Sequence, residues 1–157
     1  MYREGGTPVR GVPPSTVECM KISPLVARER FVGSPVARLA TADAHGVPHA
    51  VPVTFAVLGD VVYFAVDHKP KSTWQLRRLS NIRENPSVTV LVDHYAEDWS
   101  TLWWARADGR GEVLEDGQER HRAVELLRDK YDQYRDSPPQ GPVVAIRVER
   151  WSGWAFA

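Results

Sequence analysis

The chain has little cysteine: Cys19 is the single one among 157 residues. One cysteine excludes an intrachain disulfide, and no histidine pairs with a second histidine or cysteine at ligand spacing, so no metal site is expected. The sequence also lacks an apolar run of membrane-spanning length and a hydrophobic N-terminal signal segment. We therefore expect a cytoplasmic protein that does not associate with membranes.

Net charge is also missing, because 20 Lys and Arg residues balance 20 Asp and Glu residues. Such a chain has no broad positive field for nucleic acid, although a local basic cluster can still bind a small anion. A nucleophile elbow of the Gly-x-Ser-x-Gly type, a Walker loop and a dinucleotide fingerprint are absent too. Nucleic-acid binding and these common enzyme classes are therefore not expected.

Turn residues and hydrophobic periodicity divide the chain into two parts. Residues 1–22 are rich in glycine and proline and are predicted to be a flexible arm, and residues 23–157 form one domain. A short helix capped by Ser23 is followed by six strands and two further helices. We predict a mainly β protein with flanking helices, a six-stranded antiparallel barrel, with strands near 36–42, 48–58, 61–66, 88–95, 102–114 and 143–150 and helices near 72–84 and 117–134.

The most informative stretch runs from Asp67 to Asn81. Lys69 and Lys71 follow a strand and precede a predicted helix that Ser72 or Thr73 caps. Free backbone N–H groups and the helix dipole favour anions at such a start. The pattern indicates either a phosphate-binding site or a surface turn capped by a serine.

The second predicted strand has two unlike faces. His49, Val51, Val53, Phe55 and Val57 alternate as a core face. The opposite face carries only small side chains, listed as Ala50, Pro52, Thr54 and Ala56. A flat ring could approach this backbone closely, which makes the run Pro52, Val53 and Thr54 a candidate binding segment; the alternative is that bulky neighbours cover it.

Two adjacent tryptophans, Trp103 and Trp104, lie on a predicted strand and must face opposite ways. One tryptophan can enter the core, and the other is then either covered by a ligand or a partner chain or left half-exposed. Arg77 and Arg78 follow the lysines on the next helix. They are either a solvated helix face or contacts for an extended anionic tail.

Several blocks together resemble the split β-barrel superfamily of pyridoxamine 5′-phosphate oxidase, and within it the actinobacterial branch of coenzyme F420-dependent oxidoreductases. The blocks are residues 37–41, 46–55, 68–71, 81–86, 91–99 and 102–109. The resemblance covers nearly all of the chain after the arm.

The resemblance implies an FMN-binding split barrel that forms a homodimer, with a flavin-type cofactor between the subunits. Lys71 matches the phosphate-binding lysine of the family, with Lys69 beside it. Ser72, Thr73, Arg38, Arg77 and Arg78 join Pro52, Val53 and Thr54 as candidate cofactor contacts. The C-terminus departs from the family, because no Arg-x-His signature follows Trp151. Oxidation of vitamin B6 is therefore not expected.

These expectations favour an oxidoreductase that moves hydride between coenzyme F420 and a small unsaturated substrate. Lys69, Lys71, Arg77, Arg78, Arg38 and Arg106 supply more cations than the single phosphate of FMN requires. An FMN-dependent enzyme on the same fold and a non-catalytic flavin or haem carrier remain as alternatives. The sequence does not indicate which residues would be catalytic.

Overall fold

The computed structural model describes residues 20–66 and 76–156. These residues form one antiparallel sheet of eight strands with helices packed around it. The strands are β1 Lys21–Ile22, β2 Ala37–Ala42, β3 Pro48–Val53, β4 Ala56–Leu58, β5 Val61–Ala65, β6 Ser87–His94, β7 Trp103–Leu114 and β8 Val143–Ala155. Their order across the sheet is β3-β2-β6-β7-β8-β5-β4, and β1 pairs with β8. The predicted mainly β split-barrel fold with flanking helices is confirmed.

The helices lie between strands. They are α1 Pro24–Val32, α2 Arg77–Glu84, α3 Gly117–Lys130 and α4 Asp132–Asp136, with a short 3-10 helix at Trp99–Thr101. Ser23 caps α1 as predicted, since its hydroxyl accepts from the backbone N–H of Val26 at 3.3 Å. The N-cap of α2 is Leu76, so the prediction that Ser72 or Thr73 caps this helix is wrong. Leu76 is extended and makes no side-chain cap bond.

The strand count differs from the prediction for two reasons. Lys21 and Ile22 pair with Trp154 and Gly153, although they were placed in the flexible arm. Residues 1–19 of the predicted arm, including Cys19, lie outside the described residues. The single strand expected over residues 48–58 is also two strands, because the chain leaves the ladder at Thr54 and Phe55.

The interruption between β3 and β4 is the point at which the barrel closes. β3 and β4 lie at opposite ends of the strand order, yet only two residues separate them in sequence. β3 pairs with β2, whereas β4 pairs with β5. The barrel is therefore joined by the covalent chain through Thr54 and Phe55, and backbone groups there need partners from outside the sheet.

The core fills the inside of this barrel and extends beneath α1. Its largest fully buried side chains include Phe31, Leu39, Phe55, Phe64 and Ile146. Phe31 of α1 packs on Phe55 with ring centroids 4.9 Å apart, which ties the helix to the join. None of the helices in the described part of the chain has the length and apolar character needed to cross a membrane.

The long strand pair β7 and β8 forms the middle of the sheet. β7 is continuous through Asp108 and Gly109, where its register against β8 shifts. A Cβ at Gly109 would collide with the backbone of Arg147, so glycine is required for this close approach. β7 ends at Leu114 as predicted, whereas β8 continues to Ala155, beyond its predicted end at residue 150.

Candidate functional site: a groove at the join of the barrel

A groove opens where β3 gives way to β4. We call it the Thr54 groove; it has a volume of about 320 Å³ and is lined by Val36, Pro52, Val53, Thr54, Ala65 and Arg78. Four of the ten candidate cofactor contacts therefore come together from two distant parts of the sequence. Folding places the first residues of α2 beside the end of β3, which no local pattern shows.

The join is held by a tyrosine from α3's C-terminal end. The hydroxyl of Tyr131 accepts from the backbone N–H of Phe55 at 3.0 Å. Its own proton is shared between the carbonyl oxygens of Phe55 at 2.9 Å and Pro35 at 2.8 Å. Burial raises the pKa of Tyr131, so the phenol keeps this proton at neutral pH. Tyr131 thus forms the hydrogen bonds that the backbone of Phe55 cannot form with a neighbouring strand.

Tyr134 contacts Thr54, which lines the groove. Its hydroxyl lies 2.9 Å from Oγ1 of Thr54, and its side chain is buried, with 6% of its surface exposed. The rings of Tyr131 and Tyr134 meet edge to face, with centroids 5.7 Å apart. The two tyrosines therefore form one support beneath Thr54 and Phe55.

Lys130 adds a charge close to this support. Its ammonium donates to the carbonyl oxygen of Ser34 at 2.8 Å and lies 3.8 Å from the ring centroid of Phe55. Burial lowers the pKa of Lys130 to about 8. The lysine is therefore bound to the backbone behind the groove rather than pointing into it.

The predicted basic residues separate in the structure. Arg78 is half-buried and lines the Thr54 groove. Arg77 is exposed at the start of α2, outside the residues that line the groove. The backbone N–H of Val47 is the main cause that lowers the pKa of Asp43, and the charge of Arg77 adds a smaller effect. Lys69, Lys71, Ser72 and Thr73 lie outside the described residues.

A second groove crosses the outer face of the sheet. We call it the Trp104 groove; it has a volume of about 600 Å³ and is lined by Arg38, Ala40, Ala50, Thr89, Leu91, Asp93, Tyr95, Trp104 and Arg106. Arg38 pairs with Asp93 at 3.2 Å, and the guanidinium of Arg106 lies 5.5 Å from the ring centroid of Trp104. Arg38 therefore belongs to this groove and not to the groove of Thr54 and Arg78.

The two grooves share one strand pair. Arg38 is directly opposite Pro52 and Ala40 is directly opposite Ala50. Directly paired residues of an antiparallel sheet point to the same face, so these four side chains form one exposed strip. Pro52 lines one groove and Ala50 the other. The predicted small-residue face is thus present over β3, whereas Ala56, beyond the break, is buried.

Trp103 and Trp104 face opposite ways, as predicted from their adjacent positions. Trp103 packs against the core and has the guanidinium of Arg30 5.2 Å from its ring centroid. Trp104 lines the outer groove. Asp98, which follows β6, has a local role, because it accepts from the backbone N–H of Ser100 at 3.0 Å and begins a short helix.

Sequence reasoning missed Tyr131, Tyr134, Val36 and Ala65 at the site. Both tyrosines were interpreted as part of an ordinary amphipathic helix, since nothing local connects them with Thr54. Within residues 20–66 and 76–156, no group of three His, Cys, Asp or Glu side chains is placed to hold a metal ion.

Known structures share this fold. A conserved hypothetical protein from Mycobacterium tuberculosis is 19% identical with a TM-score of 0.71, and 87% of each chain is covered. A structure described as an FAD-binding protein from Mesorhizobium loti is 26% identical with a TM-score of 0.63, covering 85% of this chain and 93% of that one. One described as a haem-binding protein from Mycobacterium smegmatis is 21% identical with a TM-score of 0.64, covering 80% and 50%.

The sequence comparisons agree with the fold. No match is found among curated protein sequences. The sequence profile described as pyridoxamine 5′-phosphate oxidase matches residues 26–155, which span every strand but β1 and include both grooves. The chain therefore belongs to the pyridoxamine 5′-phosphate oxidase family.

Proposed function

We propose that this protein is a coenzyme F420-dependent oxidoreductase that transfers hydride between the deazaflavin and a small unsaturated substrate. One observation carries the proposal: the Thr54 groove gathers Pro52, Val53, Thr54 and Arg78 at the join of the barrel. It adjoins the exposed strip on β2 and β3 that Arg38, Ala40, Ala50 and Pro52 form. The guanidinium of Arg78 and, next to it, the small side chains of Pro52 and Ala50 suit a cofactor that carries a phosphate and a flat ring.

The residues of the chain have separate roles in this proposal. Arg78 and the hydroxyl of Thr54 bind phosphate oxygens, and Lys69 and Lys71, which follow β5 in the sequence, add charge. Ala50 and Pro52 let the ring lie close to the strand. Deazaflavin supplies the hydride chemistry when bound, and the protein binds, orients and excludes water.

Charge favours the deazaflavin over FMN. FMN ends in one phosphate, whereas coenzyme F420 carries a phosphodiester and a chain of glutamates. Arg38 and Arg106 lie along the Trp104 groove, next to the strip that leads from Arg78. Cations spread over both grooves suit a long anionic tail better than a single phosphate.

We further propose that a second copy of the chain covers the Trp104 groove, so that the cofactor lies between two subunits. The groove presents the apolar side chains of Leu91, Tyr95 and Trp104 together with charges of both signs on Arg38 and Asp93. A face that carries both signs can pair with its own copy across a two-fold axis. This contact would also exclude water from the ring.

The direct test is a comparison of cofactor affinities. Purified protein is titrated with F420 and with FMN, with fluorescence as the signal, at low salt and at about 0.5 M salt, where exposed charges are screened. We expect tighter binding of F420 and a clear loss of its affinity in salt. Tighter binding of FMN, with equal salt effects on both, would contradict the deazaflavin assignment and favour an FMN enzyme.

A haem carrier is the second candidate, because one histidine has an unused nitrogen. His49 Nδ1 is buried and has no hydrogen-bond partner among the described residues. A similar structure is described as a haem-binding protein, so binding of haem by this chain should be measured directly. A Soret band on addition of haemin that His49→Ala abolishes, without binding of F420 or FMN, would favour this candidate.

A further inference from the structure

We infer that the guanidinium of Arg106 is a carboxylate-binding site in the Trp104 groove, for a ligand that also has a flat apolar body. The inference goes beyond the proposed function, because it does not depend on which cofactor the protein binds. The carboxylate belongs either to the glutamate chain of F420 or to a substrate, and both present the same chemistry to Arg106. The charge balance of the groove, the hydrogen bonds of Arg106 and the apolar walls each support a carboxylate there.

The charges that line the Trp104 groove do not balance. Among the described residues, the charged side chains of its lining are Arg38, Asp93 and Arg106. Arg38 pairs with Asp93 at 3.2 Å, so these two charges offset each other. Arg106 is therefore the excess cation of the groove.

Asp108, which does not line this groove, offsets Arg106 only in part. It accepts from Nε of Arg106 at 3.1 Å, from Nη2 of Arg150 at 2.9 Å and from Oγ1 of Thr89 at 2.8 Å. Burial alone would raise the pKa of Asp108, but the hydrogen bonds from Arg150 and Thr89 lower it below its ordinary value. One ionised carboxylate thus pairs with two guanidiniums, which leaves a net positive charge beside the groove.

The hydrogen bonds of Arg106 leave one edge of its guanidinium open. Nε donates to Asp108, whereas Nη1 and Nη2 have no hydrogen-bond partner within residues 20–66 and 76–156. The bond to Asp108 and the ring of Trp104, whose centroid lies 5.5 Å from the guanidinium carbon, hold the group in place. Two N–H groups on a planar fork match the two oxygens of a carboxylate. The site is thus oriented before a ligand binds.

The walls of the groove indicate what kind of molecule carries the carboxylate. Leu91, Tyr95 and Trp104 give it apolar surface, and Ala40 and Ala50 add small side chains. Its volume of about 600 Å³ is within the range of pockets for small organic ligands. An inorganic anion would leave these walls in water, whereas an aromatic or conjugated carboxylate covers them.

The experiment compares naphthoate with naphthamide, an uncharged analogue of nearly the same shape. Calorimetric titration gives the affinity of each ligand for the wild type and for Arg106→Gln. Naphthoate should bind the wild type about 10-fold more tightly than naphthamide, the lower end for a hydrogen bond between charged groups, because Arg106 is partly exposed. Arg106→Gln should abolish this difference and bind naphthamide as the wild type does.

Arg110→Gln is the matched control, because it removes the same charge from the same strand. Arg110 is exposed and does not line the groove, so both ligands should bind this variant as they bind the wild type. Light scattering should give Arg106→Gln the same mass as the wild type. The effect of Arg106 is then separated from net charge and from assembly.

Displacement identifies the source of the carboxylate. F420 and the deazaflavin riboside, which lacks the phosphate and the glutamates, are each added in excess to the protein with bound naphthoate. Displacement by F420 alone assigns Arg106 to the glutamate chain. Displacement by neither assigns it to the carboxylate of a substrate.

Four results would overturn the inference: no preference of the wild type for naphthoate, an equal loss in Arg110→Gln, displacement by the riboside as well as by F420, or a smaller mass for Arg106→Gln. The last would show that Arg106 pairs with a second copy of the chain. If Arg106→Gln does not fold, the preference of the wild type between the two ligands still decides. A wild type that does not bind F420 refutes the proposed function, whereas naphthoate binding that depends on Arg106 leaves this inference in place.

Discussion

The hydroxyl oxygen of Tyr131 lies 3.0 Å from the backbone nitrogen of Phe55 and 2.9 Å from its carbonyl oxygen. Phe55 belongs to neither β3 nor β4, so its backbone N–H and C=O have no partner strand. The phenol of Tyr131 forms hydrogen bonds with both groups instead. This contact joins the helix pair to the point where the barrel closes. The site and the fold therefore depend on the same hydrogen bonds.

Tyr131→Phe should destabilise the protein. The variant keeps the ring but leaves the buried N–H of Phe55 without its acceptor, which costs about 1–3 kcal/mol of unfolding free energy. Urea unfolding measures the difference. Trp99→Phe, at a position with 70% of its surface exposed and outside both grooves, is the control and should change little. A loss below about 0.5 kcal/mol for Tyr131→Phe would show that the join does not need this hydroxyl.

Lys130 predicts a pH dependence of stability. Its pKa is about 8 when folded, against 10.5 for the ordinary group, so the unfolded chain binds the proton more tightly. The unfolding free energy should therefore rise as pH increases from about 8 to about 10. The full shift would amount to about 3 kcal/mol, and partial exposure with the acceptor at Ser34 reduces the expected gain to about 1 kcal/mol.

The measurement is urea unfolding of the wild type and of Lys130→Met at several pH values in this window. The variant should lack the rise, because it has no group to titrate there. Identical pH slopes in the two proteins would mean that the proton on Lys130 is not coupled to folding.

Lys71→Ala and Arg78→Ala should each weaken binding of the phosphate-bearing cofactor by about 1.5–3 kcal/mol, the range of a charge-assisted hydrogen bond. Arg83→Ala is the control on the same helix, since Arg83 pairs with Glu115 at 2.6 Å and does not line the groove. Fluorescence titration at fixed salt compares the three variants. Wild-type affinity in Lys71→Ala would remove this lysine from the site.

The proposed dimer predicts a mass of twice 17.7 kDa at micromolar concentration. Trp104→Glu should shift light scattering toward the monomer, because a buried carboxylate would meet its own copy at the interface. Trp99→Glu should have no effect, since Trp99 is 70% exposed and does not line the Trp104 groove. A wild type that scatters as a monomer refutes the second copy.

The sequence by itself determined the element types and most of their limits. The turn residues that bound the strand near residues 36–42 and the Ser23 cap are local signals, and the structure agrees with both. Residue chemistry indicated Pro52, Val53 and Thr54 as a candidate segment, and the resemblance to the family added Arg78 among ten candidate contacts. The resemblance to the family predicted the barrel that brings them together.

Tertiary structure alone decided where the barrel closes and what holds it there. A strand pattern continues through Thr54 and Phe55, so no local rule predicts that β3 and β4 pair with different neighbours. Tyr131 and Tyr134 lie about 80 residues later in a helix of ordinary pattern, and only the packed fold brings them to the join. Arg38 and Arg78 likewise separate into two grooves, because side-chain direction and strand register are properties of the assembled sheet.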